Sequence, residues 1–433
     1  MGIVWGRRRV GKTALLQHFA RDLPAVFHAG AGRPAAAELA ALSQGAVGVL
    51  ENTMRDPEAR PFTDWEDAFE TLASAARNRR ILLVLDELPA VEESSPGLPS
   101  LIRAVWDRIS SQSKLKVLFC GSAVRTMEAM QEERAPLYGR LDLSLLLHPF
   151  SPHEAALMLP SLRPAQRALV WGLVGGMPLY LRWWDQNASV RSNLSRLACA
   201  PGAQLLTEGQ LVLATEADGG DLARQALYAI ASGRTKFNEI EQALGADPTR
   251  TLDRLVSLRL VDRIAPVTEN PRRTRRRIYR IADNFLSFWL GTLDRYRPEI
   301  DRGLGESILP VLLESLDDHM GGPWEEAFRA HLRRLAASGD LGESIVAVGP
   351  FWTAGADPCE IDAVALAGRS RKAVLLGEAK WRKRADGGRI RADLERKAAT
   401  IPNLAPRPRF AICAREEVTG GDGFLSFTAD DIF

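Results

Sequence analysis

The chain has 433 residues, 46% hydrophobic and 25% charged, a balance that excludes a disordered or fibrous protein and allows roughly three domains at about 150 residues each. Basic and acidic residues nearly cancel at +2, so any contact with a polyanion must come from a local patch. The four cysteines form no CxxC pair, no apolar run approaches the ~18 residues of a membrane span, and the N-terminus has no signal-peptide core, which together predict a cytoplasmic protein without a membrane partner.

In chain order, the first ~150 residues alternate short apolar runs with helical stretches, which predicts an α/β domain with a largely parallel sheet over 1–148. Strands are expected at Gly2–Trp5, Ile81–Leu85 and Leu115–Cys120. Between the first strand and a helix over Ala14–Arg21 lies Gly6-Arg7-Arg8-Arg9-Val10-Gly11-Lys12-Thr13, a full match to G-x-x-x-x-G-K-[ST]. This segment, with Ala14 opening the helix, is the expected nucleotide-binding loop. Its glycines let backbone N–H groups wrap a phosphate, and the helix N-terminus adds partial positive charge. Lys12 is expected to bridge the β- and γ-phosphates of ATP and Thr13 to hold Mg²⁺. The chain has eight lysines against 48 arginines, so a lysine at such a demanding position stands out.

The run Ile81–Leu85 ends in Asp86-Glu87. Asp86 is expected to hold Mg²⁺ through water and Glu87 to polarise the attacking water. Ser122, at the end of the strand Leu115–Cys120, is a candidate sensor of the γ-phosphate.

GRRRVGKT, LVLDELP, the Gly121-Ser122-Ala123 that follows the next strand, Pro136-Leu137-Tyr138-Gly139-Arg140 and Gly175-Gly176-Met177-Pro178-Leu179-Tyr180 together resemble the archaeal-type ATPases, P-loop proteins of the broad AAA+/STAND group. The resemblance covers most of the chain. It implies a helical lid, a winged helix and a C-terminal domain of the DUF234 type. It also makes Arg140 a candidate finger or sensor, and is compatible with a homo-oligomer. Family members usually carry a lead-in before the P-loop strand that supplies adenine contacts. Here Gly6 is the sixth residue, so no such contacts are expected from this sequence.

The lid is expected over 149–215, mostly helical, with Trp171, Trp183 and Trp184 supplying bulk. A winged helix is expected over 216–300, with helices at Leu222–Ala231, Phe237–Leu244 and Pro248–Leu258, then a hairpin of Val261–Val267 and Arg277–Ile281. Six arginines and no acid fall within the ten residues 271–280. Arg272, Arg273, Arg275, Arg276 and Arg277 are the candidate contacts to duplex DNA phosphates. The segment Asp283–Trp289 reads as an aromatic core junction.

The last domain is expected over 301–433. A helix at Trp324–Leu335 precedes strands at Ile345–Phe351, Glu360–Ala365 and Lys372–Trp381, then a helix at Arg389–Ala399 and a strand at Arg409–Cys413. That order resembles the PD-(D/E)xK nuclease core, which makes the expected fold a restriction-endonuclease-like α/β domain. Asp362 and the Glu378-Ala379-Lys380 triplet fall where that family places its metal site. Two hard carboxylates suit Mg²⁺ beside a phosphate, and the metal lowers the pKa of bound water. Lys380 would orient the hydroxide. Glu325 is spaced like the family's helix glutamate and is a candidate third ligand, with Glu326 as the fallback. Glu395-Arg396-Lys397 repeats E-x-K but in a helical setting. Arg382, Lys383, Arg384, Arg389, Arg391 and Arg396 read either as a nucleic-acid groove or as a solvated face.

The sequence thus predicts an ATP-dependent DNA-processing enzyme in which the ATPase governs a Mg²⁺-dependent phosphodiesterase. The alternative is a non-cleaving STAND-like ATP switch or DNA-binding regulator that shares the first ~300 residues.

Overall fold

Leu83 and Leu85 face one hydrophobic cluster while Leu82 and Val84 face another, so their strand is apolar at every position. The computed structural model that shows this describes residues 1–51, 56–217, 220–342, 344–354 and 358–433, in two units, Met1–Pro149 and Phe150–Phe433.

The first unit runs β1 (Gly2–Trp5), α1 (Lys12–Ala20), β2 (Ala25–Ala29), α2 (Ala35–Leu50), α3 (Trp65–Ala75), β3 (Ile81–Asp86), α4 (Leu88–Ser94), α5 (Leu98–Ile109), β4 (Leu115–Gly121), α6 (Val124–Ala129) and β5 (Leu143–Leu146). Its five strands are parallel in the order β2-β3-β4-β1-β5. The three predicted strands are the central ones. The two edge strands escaped prediction because edges carry mixed patterns: Leu143, Ser144 and Leu145 of β5 are exposed, and β2 is five residues long and contains a histidine.

The second unit opens with helices α7 (Pro152–Met158), α8 (Pro164–Val174), α9 (Pro178–Trp183), α10 (Val190–Ala198) and α11 (Gln204–Thr215). The Gly175-Gly176 pair has a steric cause. Gly175 ends α8 at φ 71°, and a Cβ on Gly176 would lie 2.0 Å from the carbonyl oxygen of Phe150. Three helices follow, α12 (Gly220–Ala231), α13 (Phe237–Leu244) and α14 (Thr249–Ser257), then the antiparallel hairpin β6 (Val261–Ile264) and β7 (Ile278–Ile281). The hairpin is shorter than expected because Val267 leaves it. Its N–H donates to the carbonyl of Pro350 at 2.8 Å, and its own carbonyl accepts from Arg371 at 2.9 Å. The wing is therefore stitched to the C-terminal sheet.

Next come α15 (Asn284–Phe288), whose Phe285, Leu286 and Phe288 are core, the turn α16 (Arg297–Glu299), α17 (Gly305–His319) and α18 (Gly321–Ser338). The chain finishes with β8 (Ile345–Trp352), β9 (Glu360–Ala367), β10 (Lys372–Lys380), β11 (Arg384–Asp386), α19 (Gly387–Ala398), β12 (Leu404–Ala414), β13 (Glu417–Thr419), β14 (Leu425–Phe427) and α20 (Ala429–Ile432). The main sheet is mixed, in the order β14-β12-β10-β9-β8: β8, β9 and β10 are antiparallel, while β12 and β14 add in parallel. Phe328 of α18 closes on Gly377 from one face, and Leu394 of α19 packs with Leu376 from the other. By strand alternation Glu378 and Lys380 share the α19 face with Leu376. Among the described residues no helix is long and apolar enough to cross a membrane.

Candidate functional site

The loop between β1 and α1 turns through positive φ at Gly6, Arg9 and Gly11. Gly6 is also pressed against Leu147, whose carbonyl oxygen would be 2.5 Å from a Cβ. The loop places Lys12 at the first position of α1, where its Nζ donates to the carbonyls of Gly6 at 3.0 Å and Arg7 at 2.9 Å. Thr13 Oγ1 donates to Asp86 Oδ2 at 2.5 Å, so the loop hydroxyl and the β3 carboxylate meet as the donor pair a hard cation needs. Arg7 and Val10 are buried, whereas Arg8 and Ala14 are exposed and Arg9 is half-buried.

Glu87 follows Asp86 in a left-handed conformation, φ 52°. Its Oε2 accepts from Ser122 N at 3.2 Å and Ser122 Oγ at 3.0 Å, so the residues singled out at the ends of β3 and β4 touch. Arg140 is engaged elsewhere, in a bidentate pair with Asp107 of α5 at 2.7 and 2.6 Å. Sequence reasoning missed Glu38, which is fully buried in the first turn of α2. It accepts from the N–H groups of Ala31 and Arg33 and from the Arg33 guanidinium, and lies 2.8 Å from His28 Nε2. Burial works against its charge, but those donors hold its carboxyl down at about 2. This knot fixes the loop whose Gly30 N–H donates to the Asp86 carbonyl at 2.8 Å. No motif marks it; a lone acid in an alanine-rich helix gives no signal.

In the second unit the antiparallel pairing of β9 with β10 brings Asp362 and Glu378 into one buried site, 6% and 8% exposed. Lys380 Nζ lies 2.6 Å from Glu378 Oε1 and 4.0 Å from Asp362 Oδ2, which also accepts from the Ala379 N–H at 2.8 Å. Burial, with the charges of Glu325 and Glu378, pushes the Asp362 carboxyl up to about 7. Burial opposes the Lys380 charge, yet the Glu378 hydrogen bond and the Asp362 charge raise its pKa overall.

The two adjacent helix glutamates are sorted by their partners. Glu325 is raised by burial against the opposing charge of Arg329, and feels Glu360 and Lys380. Glu326 is also opposed by burial, but Arg329, Arg280 and Arg333 hold its carboxyl at about 2. Glu325 is thus the acid at the Asp362 site and Glu326 is bound up in arginines. Arg329, missed by sequence reasoning, organises both: it bonds Glu326 at 3.0 Å and the Asp362 carbonyl at 2.7 Å.

Among the described residues no group of three or more His, Cys, Asp or Glu is arranged to hold a metal as it stands. What fits a hard cation is narrower. Glu378 Oε2 is buried and accepts no hydrogen bond, and the site carries more buried negative charge than Asp362 tolerates. The arginine face beyond β10 is largely paired with acids: Lys383 with Glu416 at 3.4 Å, Arg384 with Glu417 at 2.7 Å, Arg391 with Glu395 at 2.9 Å, and Arg396 with Asp393. At the wing, Arg272, Arg273, Arg275 and Arg276 are exposed and Arg277 is half-buried. Arg276 pairs with Glu269, and Arg277 donates to the Arg272 carbonyl at 3.1 Å. Arg280 turns inward to Glu326 at 3.2 Å.

Residues 1–183 match a family described as an ATPase domain predominantly from Archaea, and residues 289–392 match DUF234, archaeal and bacterial proteins of unknown function. An uncharacterised protein of Methanocaldococcus jannaschii is 24% identical over 410 residues, 92% of this chain and 87% of that protein. A Walker-type ATPase of Pyrococcus abyssi is 18% identical, with 67% of this chain and 90% of that chain covered at a TM-score of 0.50. The Aeropyrum pernix ORC2 protein is 16% identical, with 71% and 88% covered at a TM-score of 0.44. At 18% identity the likeness to the Pyrococcus abyssi ATPase is one of fold.

Proposed function

From the matches of residues 1–183 to an archaeal ATPase domain and of residues 289–392 to DUF234, we propose that the chain is an ATP-hydrolysing DNA-processing enzyme whose C-terminal site cleaves phosphodiesters. At the first site, Lys12 leaves its loop carbonyls for the β- and γ-phosphates of ATP, and Thr13 and Asp86 hold Mg²⁺. Glu87 is released from Ser122 to orient the attacking water, and Ser122 is then free to read the γ-phosphate. Arg140 serves as a finger only if it exchanges Asp107 for phosphate.

At the second site, Asp362 and Glu378 would hold the cation, with Glu325 as an added ligand. A bound Mg²⁺ there supplies Lewis acidity and a water of lowered pKa. Lys380 would orient the attacking water and balance charge at the scissile phosphate. The exposed wing arginines bind duplex phosphates without reading sequence.

The observation that carries this reading is the convergence of the Asp362 and Glu378 carboxylates within 4.0 Å of the Lys380 ammonium. The test is plasmid cleavage with Mg²⁺ or Mn²⁺ and ATP, comparing wild type with Lys380→Ala. Cutting by the wild type and none by the variant is expected, with DNA binding retained by both. No cutting by the wild type under any of these conditions would leave a second reading, a non-cleaving ATP switch that binds DNA. One observation favours that second reading: Glu378 already has ammonium groups at both oxygens.

A further inference from the structure

Lys397 belongs to the helical E-x-K repeat, yet the structure brings it to the carboxylate site. It lies in the last turn of α19, with Nζ 3.6 Å from Glu378 Oε2 and 2.9 Å from Asp393 Oδ2 one turn back. Lys380 occupies the other oxygen, Oε1, at 2.6 Å. One buried carboxylate is therefore bracketed by two of the eight lysines in a chain that elsewhere uses arginine. The distance from Lys397 exceeds a hydrogen bond, so Oε2 keeps its lone pairs while its charge is balanced. Asp393 already anchors Lys397 on its own helix at 2.9 Å, so the longer Glu378 contact can be given up without leaving the ammonium unpaired. An arginine would fill Oε2 through its planar fork; a compact ammonium can withdraw.

Resting on the metal-dependent reading above, we propose that Lys397 is a positioning residue, a built-in counter-ion that balances Glu378 while no divalent cation is present and competes with one for that carboxylate. With a cation bound, Lys397 would keep its Asp393 contact and give up Glu378, freeing Oε2 as a ligand. Competition of this kind keeps metal affinity low in the absence of DNA, so loading depends on the extra negative charge of a substrate phosphate.

The test uses the full chain without DNA or nucleotide. Mn²⁺ binding is followed by titration calorimetry, with the site assigned by its loss in Asp362→Ala, and melting is compared in EDTA and in Mn²⁺. A single positive charge ~6 Å from a divalent cation weakens binding on the order of tenfold even at bulk-water screening. Lys397→Gln should therefore bind Mn²⁺ on the order of tenfold tighter than wild type and gain more melting temperature from it. Lys397→Arg, which keeps the charge and can fill Oε2 with its fork, should bind Mn²⁺ no tighter than wild type. Equal or weaker binding by Lys397→Gln overturns the proposal. A Lys397→Gln chain that folds only with Mn²⁺ supports the counter-ion role, and one that fails to fold with or without it overturns it. If wild type shows no Mn²⁺ binding that Asp362→Ala removes, the metal-dependent reading itself has failed, a result distinct from unchanged affinity in the Lys397 variants.

Discussion

The two sites use lysine in opposite ways. At the P-loop, Lys12 rests on two peptide carbonyls of its own loop, contacts that a triphosphate can replace at little cost. At the C-terminal site, Lys380 and Lys397 lie at the two oxygens of one buried carboxylate, Glu378, and balance its charge. One arrangement is poised for an anion and built from eight consecutive residues. The other, which we propose takes a cation, is assembled from α18, β9, β10 and α19. In the first, function and stability should separate cleanly on mutation, and in the second they should be entangled.

The largest expected effect tests the first half of that contrast. Lys12→Ala should lower ATP hydrolysis at least about 1000-fold while lowering the melting temperature only modestly, because the loss at the phosphates outweighs that of its hydrogen bonds to loop carbonyls. Glu87→Gln should still bind ATP but turn it over slowly. Phosphate release and binding of a fluorescent ATP analogue measure both, and full turnover by the Lys12 variant would remove the P-loop reading.

Next in size is the entanglement at the second site. Arg329 is 3% exposed and holds Glu326 together with the Asp362 backbone. Arg329→Ala should cost about 3 kcal/mol, since it leaves a carboxylate buried with fewer partners. Arg140→Ala, which breaks an exposed pair in the first unit, should cost far less stability. Denaturant unfolding of the two variants decides it; equal costs would erase the contrast.

These differences explain how much could be read from the sequence. The P-loop was legible because its chemistry is contiguous and its glycines are forced by close approach, as at Gly6 against Leu147. The central strands were legible because both faces are buried. Asp362, Glu378 and Lys380 were legible only through strand order. Glu38, Arg329 and Lys397 were not, because each acts through partners distant in sequence: His28 lies ten positions before Glu38, Asp362 is 33 positions from Arg329, and Lys397 reaches Glu378 across a helix–sheet contact. The choice of Glu325 over Glu326 was invisible too, since it depends on Arg280 arriving from the wing.

A smaller effect concerns pH. In EDTA, the buried Asp362, pushed up to about 7, should make the second unit gain stability as pH falls from 7 toward its unfolded value near 3.8. His331 acts in the opposite sense. Burial, with His153 and Arg334 nearby, holds it at about 4, so its contribution is lost as pH falls from 6.5 through 4. The two partly cancel in wild type. Asp362→Asn should therefore raise stability at pH 8 by about 1–2 kcal/mol and steepen the loss between pH 6.5 and 4. Denaturant midpoints at pH 8, 6 and 4.5 measure this. A variant less stable than wild type at pH 8 would mean that Asp362 is not under charge strain.

The smallest effect per residue belongs to a third use of positive charge, the exposed arginines. Those following β10 are mostly paired with acids, as in Arg384–Glu417 and Arg391–Glu395, so they offer little net charge to a polyanion. The wing differs: Arg272, Arg273 and Arg275 are exposed at a hairpin tip that carries no acid between 271 and 280, while Arg276 has Glu269 and Arg277 is turned onto the Arg272 carbonyl. If the wing binds duplex DNA, each lost phosphate contact should lower the log–log salt slope by about 0.9. Neutralising Arg272, Arg273 and Arg275 together should then lower it by about 2.7, and adding Arg276 and Arg277 should lower it less per residue because both must first give up a partner within the loop. Neutralising Arg384 and Arg391 should leave the slope nearly unchanged. Fluorescence anisotropy on a random duplex across a salt series reads all three. A slope that responds to Arg384 and Arg391 but not to the wing would move the DNA surface from the hairpin to β11 and α19, where the same arginines would have to exchange Glu417 and Glu395 for phosphate.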